Sequence, residues 1–435
     1  MKPPNILYVH SHDTGRLIAP YGAPVPTPHL AALAREGAVF RQCHCAAPTC
    51  SPSRAALLTG QGPHAAGMLG LAHLGWRLAD YRRHLVHVLR PAGYRSALAG
   101  IQHIAPEPSP IGYDEVVDVG RSHRAAEVAP PAAAWLAAGP SEPFFLSVGI
   151  GDTHRPFPDP PAGSADAIRP PAVLPDAPET RRDMAGFAES ARRLDAGVGQ
   201  VLGALAAAGL AERTVVVMTT DHGPAFPGMK CNLTDGGTGV LLILRGPRIS
   251  TGVHDALVSH VDVLPTLAEL AGVDVPAWAE GASLLPLIGG RAERIREEVF
   301  TEVTYHAAYE PQRAVRTDRW KYIRRFGDRR RRVACNCDAG PTKALLMAHG
   351  WAEQDLPEEA LYDLIFDPNE ACNLAADPAR ADVLADLRAR LHAWMRRTND
   401  PLLTGRPAPP PGATLCPADA LDPKEKRPAS EVFDD

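Results

Sequence analysis

The chain has 435 residues, with 45 Lys and Arg against 50 Asp and Glu, a formal net charge of −5 at pH 7. This mildly acidic balance argues against a general nucleic-acid binder, whose footprint is basic, and 45% hydrophobic with 22% charged residues argues against disorder. No run approaches the roughly 18 apolar residues that cross a bilayer, no signal-peptide pattern is visible, and eight cysteines in so long a chain make no disulfide framework: no membrane partner and cytoplasmic residence are expected.

Four short apolar runs, rich in β-branched or aromatic residues, read as buried strands at residues 5–11, 94–101, 143–150 and 214–220. Helical patterns lie between them at 30–36, 52–59 and 184–208. This alternation predicts an α/β fold, a large and mostly parallel sheet sandwiched by helices. Ligands of such sheets bind outside the carboxyl ends of the strands. Each run stops there in a polar cluster: Ser11-His12-Asp13, Gln102-His103, Gly151-Asp152-Thr153-His154 and Asp221-His222-Gly223. Converging on one rim, they would supply carboxylates and imidazoles to a single metal-assisted site. A Pro- and Gly-containing stretch at 275–290 then precedes one more strand signal at 298–303. The expected organisation is a catalytic domain over 1–310 and a smaller C-terminal α+β domain over 311–435, with a short antiparallel sheet (strand signals at 313–317 and 320–325), a helix at 379–397 and a Pro-rich tail. The arginine cluster Arg329 to Arg332 reads as a solvated loop, with an anionic polymer as the alternative partner.

The segment Cys50-Ser51-Pro52-Ser53-Arg54 carries the most chemistry. Ser51 is a good N-cap, Pro52 a good first helical residue and Gly60 a good terminator. Cys50 is therefore expected just before a helix N-terminus, where backbone N–H groups and the dipole favour an anion, with Arg54 bracing that charge. A capped surface helix with an incidental cysteine is the plain alternative. Zinc held by Cys43, Cys45 and Cys50 is disfavoured, because thiolate sites show wider paired spacing.

Cys50-x-Pro52-x-Arg54 followed by Ala55-Ala56-Leu57-Leu58-Thr59-Gly60 resembles the type I sulfatase signature of the alkaline-phosphatase superfamily. The resemblance runs along nearly the whole chain, through Thr27-Pro28-His29-Leu30, Phe144-Phe145-Leu146, Arg319-Trp320-Lys321-Tyr322 and Leu361-Tyr362-Asp363-Leu364. Three further segments, Pro63-His64-Ala65-Ala66-Gly67-Met68, Phe226-Pro227-Gly228-Met229-Lys230 and Thr398-Asn399-Asp400-Pro401, are similar to those of heparan N-sulfatases (sulfamidases). The resemblance implies an alkaline-phosphatase-like fold and a formylglycine made from Cys50 by a formylglycine-generating enzyme. It places one divalent metal ion (Ca, Mg or Mn, with Zn as a further option) on His12, Asp13, Asp221, His222 and residue 50. Two departures stand out: the family usually has Asp at the position of His12, and its lysine two residues before His103 is Ile101 here. Imidazole ligands shift the expected ion toward Mn²⁺ or Zn²⁺; the other reading of His12 is packing against the sheet end.

The reaction implied is hydrolysis of a sulfamate or sulfate ester on a sulfated, N-sulfoglucosamine-like sugar. Arg54 and Lys230 would neutralise charge on the sulfuryl oxygens. His154 would protonate the leaving group, and His103 would remove a proton from the second hydroxyl at position 50. Glu302, His306 and Arg313 are expected substrate contacts, because they fall where the two domains should meet, and His64 is a further candidate for the pocket lining. A homodimer is in keeping with the resemblance. Two other functions stay open at this point: a phosphonate monoester or phosphodiester hydrolase of the same superfamily, and a non-catalytic binder of sulfated glycans.

Overall fold

The structure is a computed structural model and describes residues 2–433. Eight strands form the central sheet: β1 (Asn5–Ser11), β2 (Ala38–Phe40), β3 (Arg95–Gly100), β4 (Glu115–Val117), β5 (Phe144–Ile150), β6 (Thr214–Thr220), β7 (Leu242–Arg245) and β8 (Gly252–His254). Their spatial order is β4-β3-β5-β1-β6-β7-β2-β8, and β7 alone runs against the rest. β1, β5 and β6 are buried at every position, as expected of strands covered on both faces. Alternate residues feed two cores. Ile6, Tyr8, Val215 and Val217 face one side, where α2 (Cys50–Thr59) and a later helix, Val263–Ala271, pack. Leu7, Val9, Val216 and Met218 face the other, under α1 (Pro28–Glu36) and the helices Ala125–Ala137 and Pro178–Ala207.

Helix α2 begins two residues earlier than the sequence suggests. Thr49 is its N-cap and Cys50 its first residue, while the expected cap, Ser51, turns its Oγ outward to accept the Ala72 N–H at 3.0 Å. The termination at Gly60 agrees with expectation: it adopts φ 71°, a left-handed conformation that glycine takes without strain. All ten residues of α2 are buried. Ser53 Oγ pins it to the end of β6 by donating to the Asp221 carbonyl at 2.5 Å.

The C-terminal part holds a four-stranded antiparallel sheet, β9 (Glu298–Tyr305), β10 (Tyr309–Thr317), β11 (Trp320–Arg325) and β12 (Glu359–Asp363), in that order. The strand read at 298–303 is thus the edge of this small sheet rather than a part of the large one. Helix α3 (Ala381–Arg397) covers the sheet with Leu384, Leu387, Leu391 and Trp394, the three-and-four spacing of one helical face. In the β9/β10 register Glu302 lies directly opposite Arg313.

Candidate active site

β1 and β6 pair in parallel with Ser11 opposite Thr220, so the residues that follow, His12-Asp13 and Asp221-His222, are placed side by side. The Asp13 N–H donates to Asp221 Oδ1 at 2.8 Å. Asp13 itself has φ 46° and His103 φ 57°; left-handed backbone at non-glycine residues tends to persist at functional sites. Cys50 arrives from the start of α2, with Sγ 3.4 Å from His222 Nε2. Ligand atoms of His12, Asp13, Cys50 and Asp221 all lie within 4.8 Å of one another, and all four residues are buried.

Two buried carboxylates need positive partners. Arg54 Nη2 meets Asp221 Oδ2 at 3.0 Å and the Ser11 carbonyl at 2.9 Å, while Nη1 lies 2.5 Å from His10 Nδ1. Lys230 Nζ bridges Asp13 Oδ2 and Asp338 Oδ2, both at 2.9 Å. Burial favours the neutral acid of Asp221, but His222, Arg54 and His12 outweigh it and hold the carboxyl well below its ordinary range. Burial likewise opposes the charge of Lys230, yet Asp13 and Asp338 raise its pKa well above that of a free lysine. The Cys50 thiol is pushed far up, by burial above all, so it stands as a protonated thiol and not as a thiolate nucleophile.

The donor set fits a cation. His222 Nδ1 lies 2.8 Å from the Gly223 carbonyl, an acceptor only, so that nitrogen carries a proton and Nε2 is the one turned to the centre. Nε2 lies 3.4 Å from Asp13 Oδ1 and 3.7 Å from Asp221 Oδ2. Asp13 Oδ1 and His12 Nε2 are buried without a hydrogen-bond partner. Buried carboxylate and imidazole atoms left without partners suit a positive ion, and an imidazole tied back to a carbonyl is the usual posture of a metal ligand. Burial, with Arg54 next, lowers the His12 pKa to about 4, which keeps its ring neutral and able to ligate.

Three more imidazoles surround this centre. The His154 ring meets His12 edge-on at 5.6 Å, and its Nδ1 lies 2.7 Å from the Arg155 carbonyl. His103 lies 6.0 Å from His12, stacks on His73 at 5.1 Å and shares a 2.9 Å contact from Nε2 to His73 Nδ1. Burial, then His12 and His73, keep His103 neutral. His306 is buried, its pKa lowered to about 3 by burial and then by Lys230, with Asp338 also close.

Of the substrate contacts expected from sequence, only His306 stands beside this cluster. His64, Glu302 and Arg313 do not join it; they pair with one another and with Asp400. His64 Nδ1 lies 2.9 Å from Glu302 Oε1, Arg313 Nη2 lies 3.1 Å from Glu302 Oε2, and Arg313 Nε donates to Asp400 Oδ2 at 2.5 Å. The cross-strand register of β9 and β10 dictates this, since it closes the pair before any ligand is present. Gln102 turns away as well: its amide Oε1 accepts the Ile104 and Ala105 N–H groups and closes the local turn. Cys43 and Cys45 are packed in the core. Asp338 and His10 carry functional contacts that the sequence does not announce; Asp338 follows the unassigned Cys335-Asn336-Cys337 segment, 108 positions from Lys230.

Two family profiles match the chain: Sulfatase over residues 4–273, and N-sulphoglucosamine sulphohydrolase, C-terminal, over residues 235–345. N-sulphoglucosamine sulphohydrolase of Homo sapiens is 30% identical, with 92% of this chain and 91% of the relative covered. An ulvan-active sulfatase of Formosa agariphila is 28% identical over 91% of this chain and 75% of its own length. Among solved structures, a 2-O GAG sulfatase superposes with a TM-score of 0.72 at 23% identity, covering 94% of this chain and 95% of its own. A protein in complex with its substrate D-glucosamine-2-N,6-O-disulfate gives 0.72 at 18% identity, covering 92% and 99%.

Proposed function

The chain belongs to the sulfatase family, hydrolases of sulfate esters and sulfamates, and on that premise we propose that it cleaves the sulfamate of an N-sulfoglucosamine-like sugar with a formylglycine made from Cys50 and one divalent cation. The 30% identity to the human N-sulphoglucosamine sulphohydrolase and the match of the C-terminal profile support the substrate class. The observation that carries the chemistry is the convergence of His12, Asp13, Cys50 and Asp221, whose ligand atoms lie within 4.8 Å of one another, with His222 Nε2 3.4 Å from Asp13 Oδ1. Cys50 Sγ stands there for an oxygen of the hydrated aldehyde.

His12, Asp13, Asp221 and His222, with residue 50, would hold the cation, and this mix of imidazole and carboxylate suits Mn²⁺ or Zn²⁺. The bound ion and the hydrated aldehyde supply, respectively, charge neutralisation at the sulfuryl oxygens and a nucleophilic hydroxyl paired with a second, deprotonatable one. Arg54 and Lys230 hold fixed positive charge at the same centre, where preorganised donors are most effective. His154, its Nδ1–H tied to the Arg155 carbonyl, leaves Nε2 to pass a proton to the leaving nitrogen. His103, its Nε2 engaged with His73 Nδ1 at 2.9 Å, has its Nδ1 without a partner and would use it to take the proton of the second hydroxyl. The balanced outcome is R–NH–SO₃⁻ plus water giving the amine and hydrogen sulfate.

The test pairs mass spectrometry of the Cys50 peptide, after co-expression with a formylglycine-generating enzyme, with turnover of N-sulfoglucosamine, an aryl sulfate and a phenyl phosphonate monoester. Formylglycine and preferred release of sulfate from N-sulfoglucosamine are expected; active protein with an unmodified thiol, or a preference for the phosphonate, sinks the reading. Cytoplasmic residence remains part of the proposal, supported by eight unpaired cysteines, and a homodimer is checked by light scattering.

A further inference from the structure

The other end of α2 opens on a second cavity. Its volume is about 720 Å³, within the range of small-molecule sites, about 300–1,000 Å³. It begins where α2 ends, so the ten-residue helix sets it roughly 15 Å from Cys50 at about 1.5 Å per residue. One wall is aromatic: Phe300 and Trp394 stack at 4.9 Å with their planes 1° apart, and the His64 ring meets Trp394 edge-on at 5.1 Å. The remaining lining is polar and cationic. Arg397 is exposed at the cavity and makes no ion pair with a carboxylate among the described residues. Arg296 is anchored to Asp262, leaving its buried Nε without a partner. His64 gives one ring nitrogen to Glu302 and has its Nε2 buried and unpartnered.

We propose that this cavity is a second, non-catalytic binding site for an anionic sugar residue, of the same sulfated-glycan class as the substrate; the inference rests on the reading of the substrate given above. An aromatic wall beside guanidinium groups is chemistry that takes the apolar face of a pyranose together with its sulfate or carboxylate. Burial lowers the tendency of His64 to hold a proton, but Glu302 more than compensates and raises its pKa, which equips Nε2 as a donor. Glu280, the one carboxylate of the lining, is pushed toward its neutral form by burial and accepts the Gly62 N–H at 3.1 Å. It therefore opposes an anion less than a free carboxylate would, and it can accept from a sugar hydroxyl. Glycan chains longer than one residue would be retained at this site as well as at the catalytic centre.

The experiment uses the full chain with Cys50→Ala, which blocks turnover, titrated calorimetrically with an N-sulfated glucosamine-containing tetrasaccharide and with its desulfated counterpart. Two binding events are expected for the sulfated probe, one of them weakened at least tenfold by Arg397→Glu, a surface change that leaves the fold intact, and neither reproduced by the desulfated probe. In the active enzyme Arg397→Glu should lower kcat/KM for the tetrasaccharide relative to the monosaccharide. A single binding event, an Arg397→Glu titration identical to the parent, or equal affinity for inorganic polyphosphate overturns the second site. Absence of N-sulfoglucosamine turnover by the parent enzyme carrying formylglycine, with both binding events present in Cys50→Ala, overturns the proposed reaction instead, so the two failures read differently.

Discussion

Helix α2 joins two clusters in which imidazole meets carboxylates, and they differ in how the charge is balanced. At its start, His12, Asp13, Asp221 and His222 surround Cys50; at its end, His64, Glu302 and Asp400 meet, again an imidazole among carboxylates that could hold a metal. In the second cluster Arg313 is already inserted between the two carboxylates, 3.1 Å from Glu302 and 2.5 Å from Asp400, so charge is balanced within the chain. In the first, Arg54 and Lys230 balance one face of each carboxylate, while Asp13 Oδ1 is left without a hydrogen-bond partner. Residue types alone would nominate both clusters for a cation. What distinguishes them is whether a guanidinium has taken the central place.

The largest effect that would break this contrast is on turnover. Cys50→Ala should lower sulfate release at least about 10³-fold, as loss of a nucleophile does, whereas Asp400→Asn should spare the chemical step and act through stability; steady-state kinetics with a calorimetric control reads both. Arg313→Met should cost about 3–5 kcal/mol, because it leaves two buried carboxylates facing each other, measured by urea unfolding. The same variant should gain a Mn²⁺-dependent rise in Tm that the parent cluster lacks, and absence of that gain would mean that geometry, not Arg313, keeps metal out. At the first cluster, added Mn²⁺ or Zn²⁺ at about 100 times Kd should stabilise by about 2.7 kcal/mol. Asp13→Asn should abolish that shift and Asp400→Asn should leave it, as followed by thermal melts with and without chelator.

The smallest effect is on pH. Glu302 is opposed by burial but held down to about 2 by His64 and Arg313, so its stabilisation is present above the unfolded carboxylate range, about 4.5, and is lost as pH falls from there to about 2. His64 is raised, so its contribution is full below about 6.5 and fades as pH climbs through the folded value. Urea midpoints should therefore peak near pH 5–6, and Glu302→Gln should flatten both limbs.

Much of this was legible from sequence where the physics is local. The strands at 5–11, 143–150 and 214–220 are buried on both faces, so they appear as unbroken apolar runs, and the polar tripeptides after them fall where a parallel sheet exposes its rim. The small-sheet strand at 313–317 proved longer, starting at Tyr309, because its first residues alternate polar and apolar and carry no continuous signal. Residue type alone favours Ser51 as the cap of α2, but its hydroxyl accepts the Ala72 N–H and the helix starts after Thr49, which makes no side-chain cap bond. Arg313 and Glu302 were assigned to substrate, although a cross-strand register that no short motif encodes pairs them with each other. Asp338 reaches Lys230 from a loop, and nothing in a Cys-Asn-Cys-Asp string marks that reach.

The complete enclosure of α2 has a corollary for diversification. A rod with no solvated face tolerates little change along its length, since altered bulk anywhere on it displaces the reactive end, the cavity end or both. New selectivity must come from elements that touch the centre from outside, such as the loop that delivers Asp338 and the edge that presents His306. The helix works as a fixed gauge between two ends, and adaptation is left to the surfaces around it.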